Sequence, residues 1–232
     1  MEIYEDSVVG KVTLSHSAKA KNIGLKVRPD GEVVLVVPHG ISVDRAVDFL
    51  KSKYDWVLSH TVNRSKIIYD ETTNFETLTF KLFVRRGDDD NCRFCLKRGE
   101  LYVYYPHSCD VKSDDVQRLI KLGIEKALKR EAKRILPSRL EMLSKMFGFK
   151  YESVKIQGSH TRWGSCSGRK NINLSCYLLL LPIQLVDYVL LHELCHTVEM
   201  NHSDKFWKLM DNVTDGRAKS LRAELKSYSA TL

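Results

Sequence analysis

The sequence predicts an α+β protein in two parts. Residues 1–110 form a β-rich N-terminal domain with one helix, and residues 111–232 form a domain in which a small three-stranded sheet packs on an apolar helix. Three observations carry that expectation. Short runs of alternating apolar and polar residues, broken by Pro, Gly, Asp and Asn, fill much of the first half. In the second half, three short strand patterns precede an apolar run that begins near Leu178 and reads as a helix. Between the halves, His107-Ser108-Cys109-Asp110 has the composition of a linker.

In chain order, residues 11–16 and 23–27 alternate as short strands. Pro29-Asp30-Gly31-Glu32 is a strong turn signal, and residues 33–37 are the partner strand, closing at Pro38. Ser42 is placed to cap a helix whose apolar face is Val43, Ala46, Val47, Leu50, Tyr54 and Val57, running to about His60. A second β-rich block covers residues 75–105. There Leu78, Phe80 and Leu82 alternate with Thr79 and Lys81, residues 87–91 form a loop, Arg98-Gly99-Glu100 turns tightly, and residues 101–105 make the last strand. Asp88, Asp89 and Asp90 suggest a calcium loop, but the rest of a ligand set of about 12 residues is missing, so a solvated turn is expected.

Ser113 caps a long helix with Asp114 and Asp115 in its first turn, where carboxylates favour the positive end of the helix dipole. That helix is expected to stop near Leu136, because Pro137 follows. A shorter helix runs from Ser138 to Gly148. Residues 153–157, 161–165 and 171–179 read as three strands, with Ser167-Gly168-Arg169-Lys170 turning between the last two. Pro182 marks the first turn of the next helix, which carries an apolar run that begins near Leu178. After Trp207, Asp215-Gly216 precedes a polar helix that runs to the C-terminus.

The apolar helix ends in His192-Glu193-Leu194-Cys195-His196, with His202 six residues further on. Helical residues four apart project at nearly the same angle, so His192 and His196 can offer two imidazole nitrogens to one tetrahedral Zn²⁺. Glu193 lies about 100° around the helix, beside the metal, where a carboxylate can serve as general base toward a metal-activated water. Two His and a Glu on a mostly apolar helix would be costly to bury without partners. For the third ligand, Asn201 is the expected left-handed helix end, and Ser203 with Asp204 caps a new helix through Phe206, Trp207 and Met210. That turn presents His202. Glu224 is the rival on a later helix, but it lies in a polar segment with the character of a solvated face, so His202 is expected.

The segment HELCHTVEMNHSDKFW, preceded by TRWGSCSGRKNINLS, resembles the YgjP-like metallopeptidases, a family related to the WLM and SprT-like proteases and to the minigluzincins. The resemblance is specific over residues 150–207 and looser in the N-terminal half. It implies a zincin-like (minigluzincin) fold for the C-terminal domain, one catalytic zinc held by His192, His196 and His202, Glu193 as catalytic base, and a protein or peptide substrate. Gly158-Ser159-His160 departs from the family pattern at the rim of the cleft. In zincins an edge strand near the metal pairs with extended substrate backbone, and residues 161–165 are the expected edge. Thr161, Arg162, Trp163 and Ser165 would then contact substrate. Arg162 either stabilises a developing oxyanion or pairs with an acid such as Asp187.

Composition sets the remaining bounds. A hydrophobic content of 43% is enough for a packed core. No run reaches the roughly 18–20 uncharged apolar residues of a membrane span, since residues 178–191 include Gln184 and Asp187. The opening MEIYEDSVVGK lacks the basic and apolar regions of a secretory signal, so a cytoplasmic location is expected. Six cysteines suit that compartment as free thiols. Cys92 and Cys95 form a lone CxxC in a strand and are expected to pack rather than bind metal, and Cys195 is expected in the core. Lys and Arg number 37 against 29 Asp and Glu, a net +8 that favours acidic partners. Lys126, Lys129, Arg130, Lys133 and Arg134 line one face of the long helix, either as a solvated face or as a phosphate contact for DNA. The rival to a peptidase is therefore a nucleic-acid-associated module with a structural or vestigial zinc. A three-His set with an open fourth position favours catalysis, because structural zinc sites are closed by four protein ligands.

Overall fold

A computed structural model describes residues 2–28, 31–61, 67–230 and 232. It is a mixed α/β chain with three small sheets. The chain divides into two compact units, Met1–Ile67 and Ile68–Leu232. The expected boundary at residue 110 is thereby corrected, and the reason is burial. The second β-rich block turns its apolar face, Leu82, Val84, Leu101 and Val103, against Val116, Ile120 and Ile124 of the long helix in a single core. A three-stranded sheet has too little apolar surface to cover itself.

In the first unit, β1 (Glu2–Asp6), β2 (Gly10–Ser17), β3 (Gly24–Val27) and β4 (Val33–Pro38) form a sheet of order β1-β2-β4-β3. β3 and β4 pair antiparallel with Leu25 opposite Leu35, as the sequence pattern predicts. Pro29 and Asp30 of the expected turn lie outside the described residues, while the Gly31 N–H donates to Arg28 O at 2.9 Å with φ of +88°. The predicted single helix is two: α1 (Val43–Lys51), capped by Ser42, and α2 (Tyr54–Thr61). The break comes where Lys53 N–H bonds back to Leu50 O at 2.9 Å, a tightened turn that re-aims the chain. Val12, Leu14, Leu35 and Val37 pack with Ala46, Leu50 and Val57 beneath it.

In the second unit, β5 (Lys81–Arg86), β6 (Arg93–Lys97) and β7 (Glu100–Tyr105) pair in the order β5-β7-β6. The acidic loop before β6 is built from its own carboxylates: Asp89 accepts from Asn91 N–H, and Asp90 from Ser108 N–H and O–H. α3 (Asp114–Phe147) is one helix of 34 residues, which corrects the predicted stop before Pro137. A proline inside a helix costs about 3 kcal/mol. Continuity keeps Leu136, Leu140 and Leu143 on one buried face, and each such side chain returns about 1.5–3 kcal/mol. Gly148 ends the helix in the left-handed conformation at φ of +74°.

β8 (Ser153–Gln157), β9 (Gly164–Cys166) and β10 (Asn171–Ser175) form the third sheet, of order β8-β10-β9. Two predicted strands are shorter than expected. Residues 161–163 lie ahead of β9, with Trp163 O accepting from Ser175 N–H at 2.8 Å, and Cys176–Leu180 winds into a 3₁₀ turn started by Ser175, whose hydroxyl accepts from Tyr177 N–H. The CYLLL run is nearly all buried and has no alternation to mark it as strand or helix. α4 (Ile183–Cys195), α5 (Asp204–Val213) and α6 (Ala218–Leu225) follow. α4 packs on α3, α5, α6 and β9, which places its C-terminal turn at the meeting point of these elements. Among the described residues no helix is long and apolar enough to cross a membrane.

Candidate active site

α4 ends at His196, whose N–H closes the last turn on His192 O. The chain then reverses through bonds from Thr197 N–H to Leu194 O and from Val198 and Glu199 N–H to Cys195 O. Asn201 does not take the expected left-handed conformation; glycines aside, the described residues that do are Arg98, Lys170 and Asp215. Successive helical and 3₁₀-type bonds make the turn instead. Ser203 occupies the N-cap position of α5, although its hydroxyl makes no capping bond.

This turn brings His202 back to the helix. His196 Nε2 and His202 Nε2 each lie 3.1 Å from His192 Nε2, and the three ligand nitrogens fall within 4.8 Å of one another. A tetrahedral ion with nitrogens at about 2.0–2.1 Å would space them about 3.3 Å apart. His196 Nδ1 lies 3.0 Å from Glu199 O, and a carbonyl can only accept, so Nδ1 carries the proton and Nε2 turns its lone pair to the cluster. Burial, together with the neighbouring His196 and His202 rings and the Arg222 charge, pushes His192 down to about 3. Burial, the His196 ring and Arg222 likewise lower His202. Neutral rings are the form that donates to a metal, so the donor set fits one borderline-soft divalent ion. Phe206 lies beneath all three rings at centroid distances of 4.6–4.9 Å, and Trp207 stacks on His202 at 5.8 Å.

Glu193 is buried beside this cluster, and burial raises its carboxyl to about 8. Its Oε2 has no hydrogen-bond partner among the described residues. The carboxylate lies against β9, where a Cβ on Gly164 would come within 2.7 Å of Glu193 Oε1. Gly164 is a residue the sequence motifs did not single out, though a glycine between Trp163 and Ser165 was the available signal.

β9 pairs with β10 on one side, with Gly164 opposite Leu174 and Ser165 opposite Asn173, and stands at the edge of its sheet. Ser165 is partly buried, Trp163 lines a cavity beside His192 and Glu193, and Thr161 and Arg162 are exposed ahead of the strand. The alternative pairing of Arg162 with Asp187 does not form. Asp187 is held by Arg139 in a two-pronged bond, one arm at 2.6 Å. Glu224 accepts from Gln184 at 3.5 Å and is not part of the ligand cluster. His160, in the segment that departs from the family pattern, donates from Nδ1 to Ala230 O at 2.8 Å and meets Tyr177 O–H at 3.1 Å. It pins the C-terminal segment near the site. Cys195 is buried, and burial raises its thiol to about 12, so it is a core residue rather than a nucleophile. The cavity, about 370 Å³, is completed by Arg222, Leu225, Lys226 and Tyr228, which no local motif announced.

The family model for the YgjP-like metallopeptidase domain matches residues 21–228. Among solved structures, the metallopeptidase zymogen of Pyrococcus abyssi abylysin is similar at 24% identity, covering 40% of this chain and 93% of its own, with a TM-score of 0.37. No curated protein matches the chain.

Proposed function

The chain belongs to the YgjP-like metallopeptidase family, and on that premise we propose that it hydrolyses peptide bonds with one zinc ion held by His192, His196 and His202 and with Glu193 as general base. The observation that carries this reading is the juxtaposition of three imidazole nitrogens, 3.1 Å apart in two pairs, with a buried carboxylate whose Oε2 has no hydrogen-bond partner among the described residues. When bound, the ion supplies Lewis acidity, polarising the carbonyl under attack and acidifying water. Glu193 takes the proton of the attacking water at a carboxylate oxygen and later passes it to the leaving amine nitrogen. Burial raises the carboxyl, and the charge of a bound dication would act against that rise. Gly164 keeps the carboxylate pressed against β9, so the base and the edge strand are fixed relative to each other. The open edge of β9 receives substrate backbone as an added strand, with Trp163 and Ser165 beside it. Thr161 and Arg162 stand at the rim, where the Arg162 guanidinium, with no ion-pair partner among the described residues, meets charge that develops on the carbonyl oxygen. Metal analysis together with peptidase assays on Glu193→Gln tests the reading.

A second partner is favoured by one observation. Lys126, Lys129, Arg130, Lys133 and Arg134 are all exposed along α3. Lys129 and Arg134 are partly neutralised by Glu125 and Glu131. The remaining charge suits DNA phosphates, which would make DNA-associated proteins the substrates.

A further inference from the structure

The cavity beside the His cluster carries two cations with no carboxylate partner among the described residues. Arg222, on α6, and Lys226, just past its end, line it together with Trp163 and Tyr188. Among the lining residues Glu193 is the one acid, and it belongs to the reacting end of the cavity. Among the described residues neither Arg222 nor Lys226 forms an ion pair, whereas Lys129, Arg134, Arg139 and Lys145 each have a carboxylate partner. Arg222 is nevertheless held in place. Its guanidinium carbon lies 4.8 Å above the Trp207 ring, and that ring is 6.5 Å from the His192 ring. An exposed, planar guanidinium stacked over Trp207, one side chain away from the ligands, is a site for bidentate capture of a carboxylate, with Lys226, also exposed, adding a point charge. The volume of about 370 Å³ lies at the small end of ligand pockets, which suits one or two residues of an extended chain.

We propose that this cavity receives a carboxylate of the peptide substrate next to the scissile bond, and that Arg222 and Lys226 are its specificity-determining residues. The proposal rests on the peptidase reading above. Two sources supply that carboxylate: an Asp or Glu side chain flanking the cut, or the free C-terminus of a peptide whose last bonds are cut.

The experiment uses the intact zinc-loaded protein and peptides in matched sets. One set has an amidated C-terminus and carries Glu, Gln or Lys at each position flanking the cut. The other is neutral, with the C-terminus free or amidated. Cleavage read by mass spectrometry should favour Glu over Gln at one flanking position, or free over amidated ends, on the order of tenfold in kcat/KM through KM. Arg222→Glu should invert the preference toward Lys, and Arg222→Lys should restore part of it. A preference in the first set assigns the side-chain source and one in the second the C-terminus. Equal cleavage across both sets by an active protein overturns the proposal. If nothing is cleaved, the peptidase reading fails by itself. Binding of the same peptides to Glu193→Gln, followed by tryptophan fluorescence, then decides the pocket: tighter binding of the carboxylate peptides that Arg222→Glu abolishes supports it, and indifference to charge overturns it.

Discussion

Gly164 and Glu193 lie so close that a Cβ at residue 164 would fall 2.7 Å from the glutamate Oε1 and 2.8 Å from its Cγ. The glycine is thus a fitting requirement of the Glu193 side chain rather than of a turn. Gly164→Ala should push the buried carboxylate off the strand while leaving the three imidazoles alone. The expected outcome is metal content at the wild-type level with turnover down about 10²-fold, the scale of a misplacement near 1 Å. Wild-type turnover in this variant would mean that Glu193 has room to move and that its position is not set by β9.

The third ligand gives a two-sided test. His202→Ala should lower zinc affinity by at least one to two orders of magnitude, while Glu224→Ala should leave it unchanged. Chelator competition on both variants at neutral pH reads this directly. Retention in His202→Ala with loss in Glu224→Ala would move the ligand to α6, against the 3.1 Å approach of His202 to His192.

What the sequence made legible was local. Ser42, Ser113 and Gly148 mark helix ends by their own chemistry, and each stands where its signal says. The three histidines meet because two are a helical turn apart and the third follows within one chain reversal. What stayed hidden depends on distant packing. Pro137 is carried through α3 because leucines on both sides of it reach the same core. The sheet of β5, β6 and β7 belongs with α3 because each covers the other, which no linker composition could announce. Gly164 and Arg222 reach the site from outside the HExxH helix, and only the fold shows what they touch.

Charge on α3 makes a separate prediction. If DNA is a partner, binding should weaken steeply as salt rises, because released counterions drive it. Reversing Lys126, Lys129, Arg130 and Lys133 together should abolish that binding and leave the metal in place. An electrophoretic shift assay across a salt series checks both statements. No shift at low salt removes DNA from the account.

The first unit carries a pH-dependent element of its own. Burial pushes the Asp6 carboxyl up, but hydrogen bonds from Tyr54 O–H at 2.7 Å and from the Val8 and Val9 N–H groups outweigh it and hold Asp6 below its ordinary 3.8. A folded pKa below the unfolded one means stability that is present above about 3.9 and is lost as pH falls through the folded value. Tyr54→Phe removes one donor, so the acid unfolding midpoint of Met1–Ile67 should rise. Circular dichroism during an acid titration measures it. An unchanged midpoint would show that the two backbone donors suffice.

Glu193→Gln tests the central claim most directly, because the amide preserves size and removes the base. Zinc content of the purified variant and its rate on an unfolded protein substrate are measured beside the wild type. The account predicts one zinc per chain in both proteins and a rate lower by roughly 10²–10⁴-fold in the variant. A variant that cleaves as fast as the wild type would contradict the mechanism, and a variant that loses zinc along with activity would make Glu193 a structural support of the metal site instead.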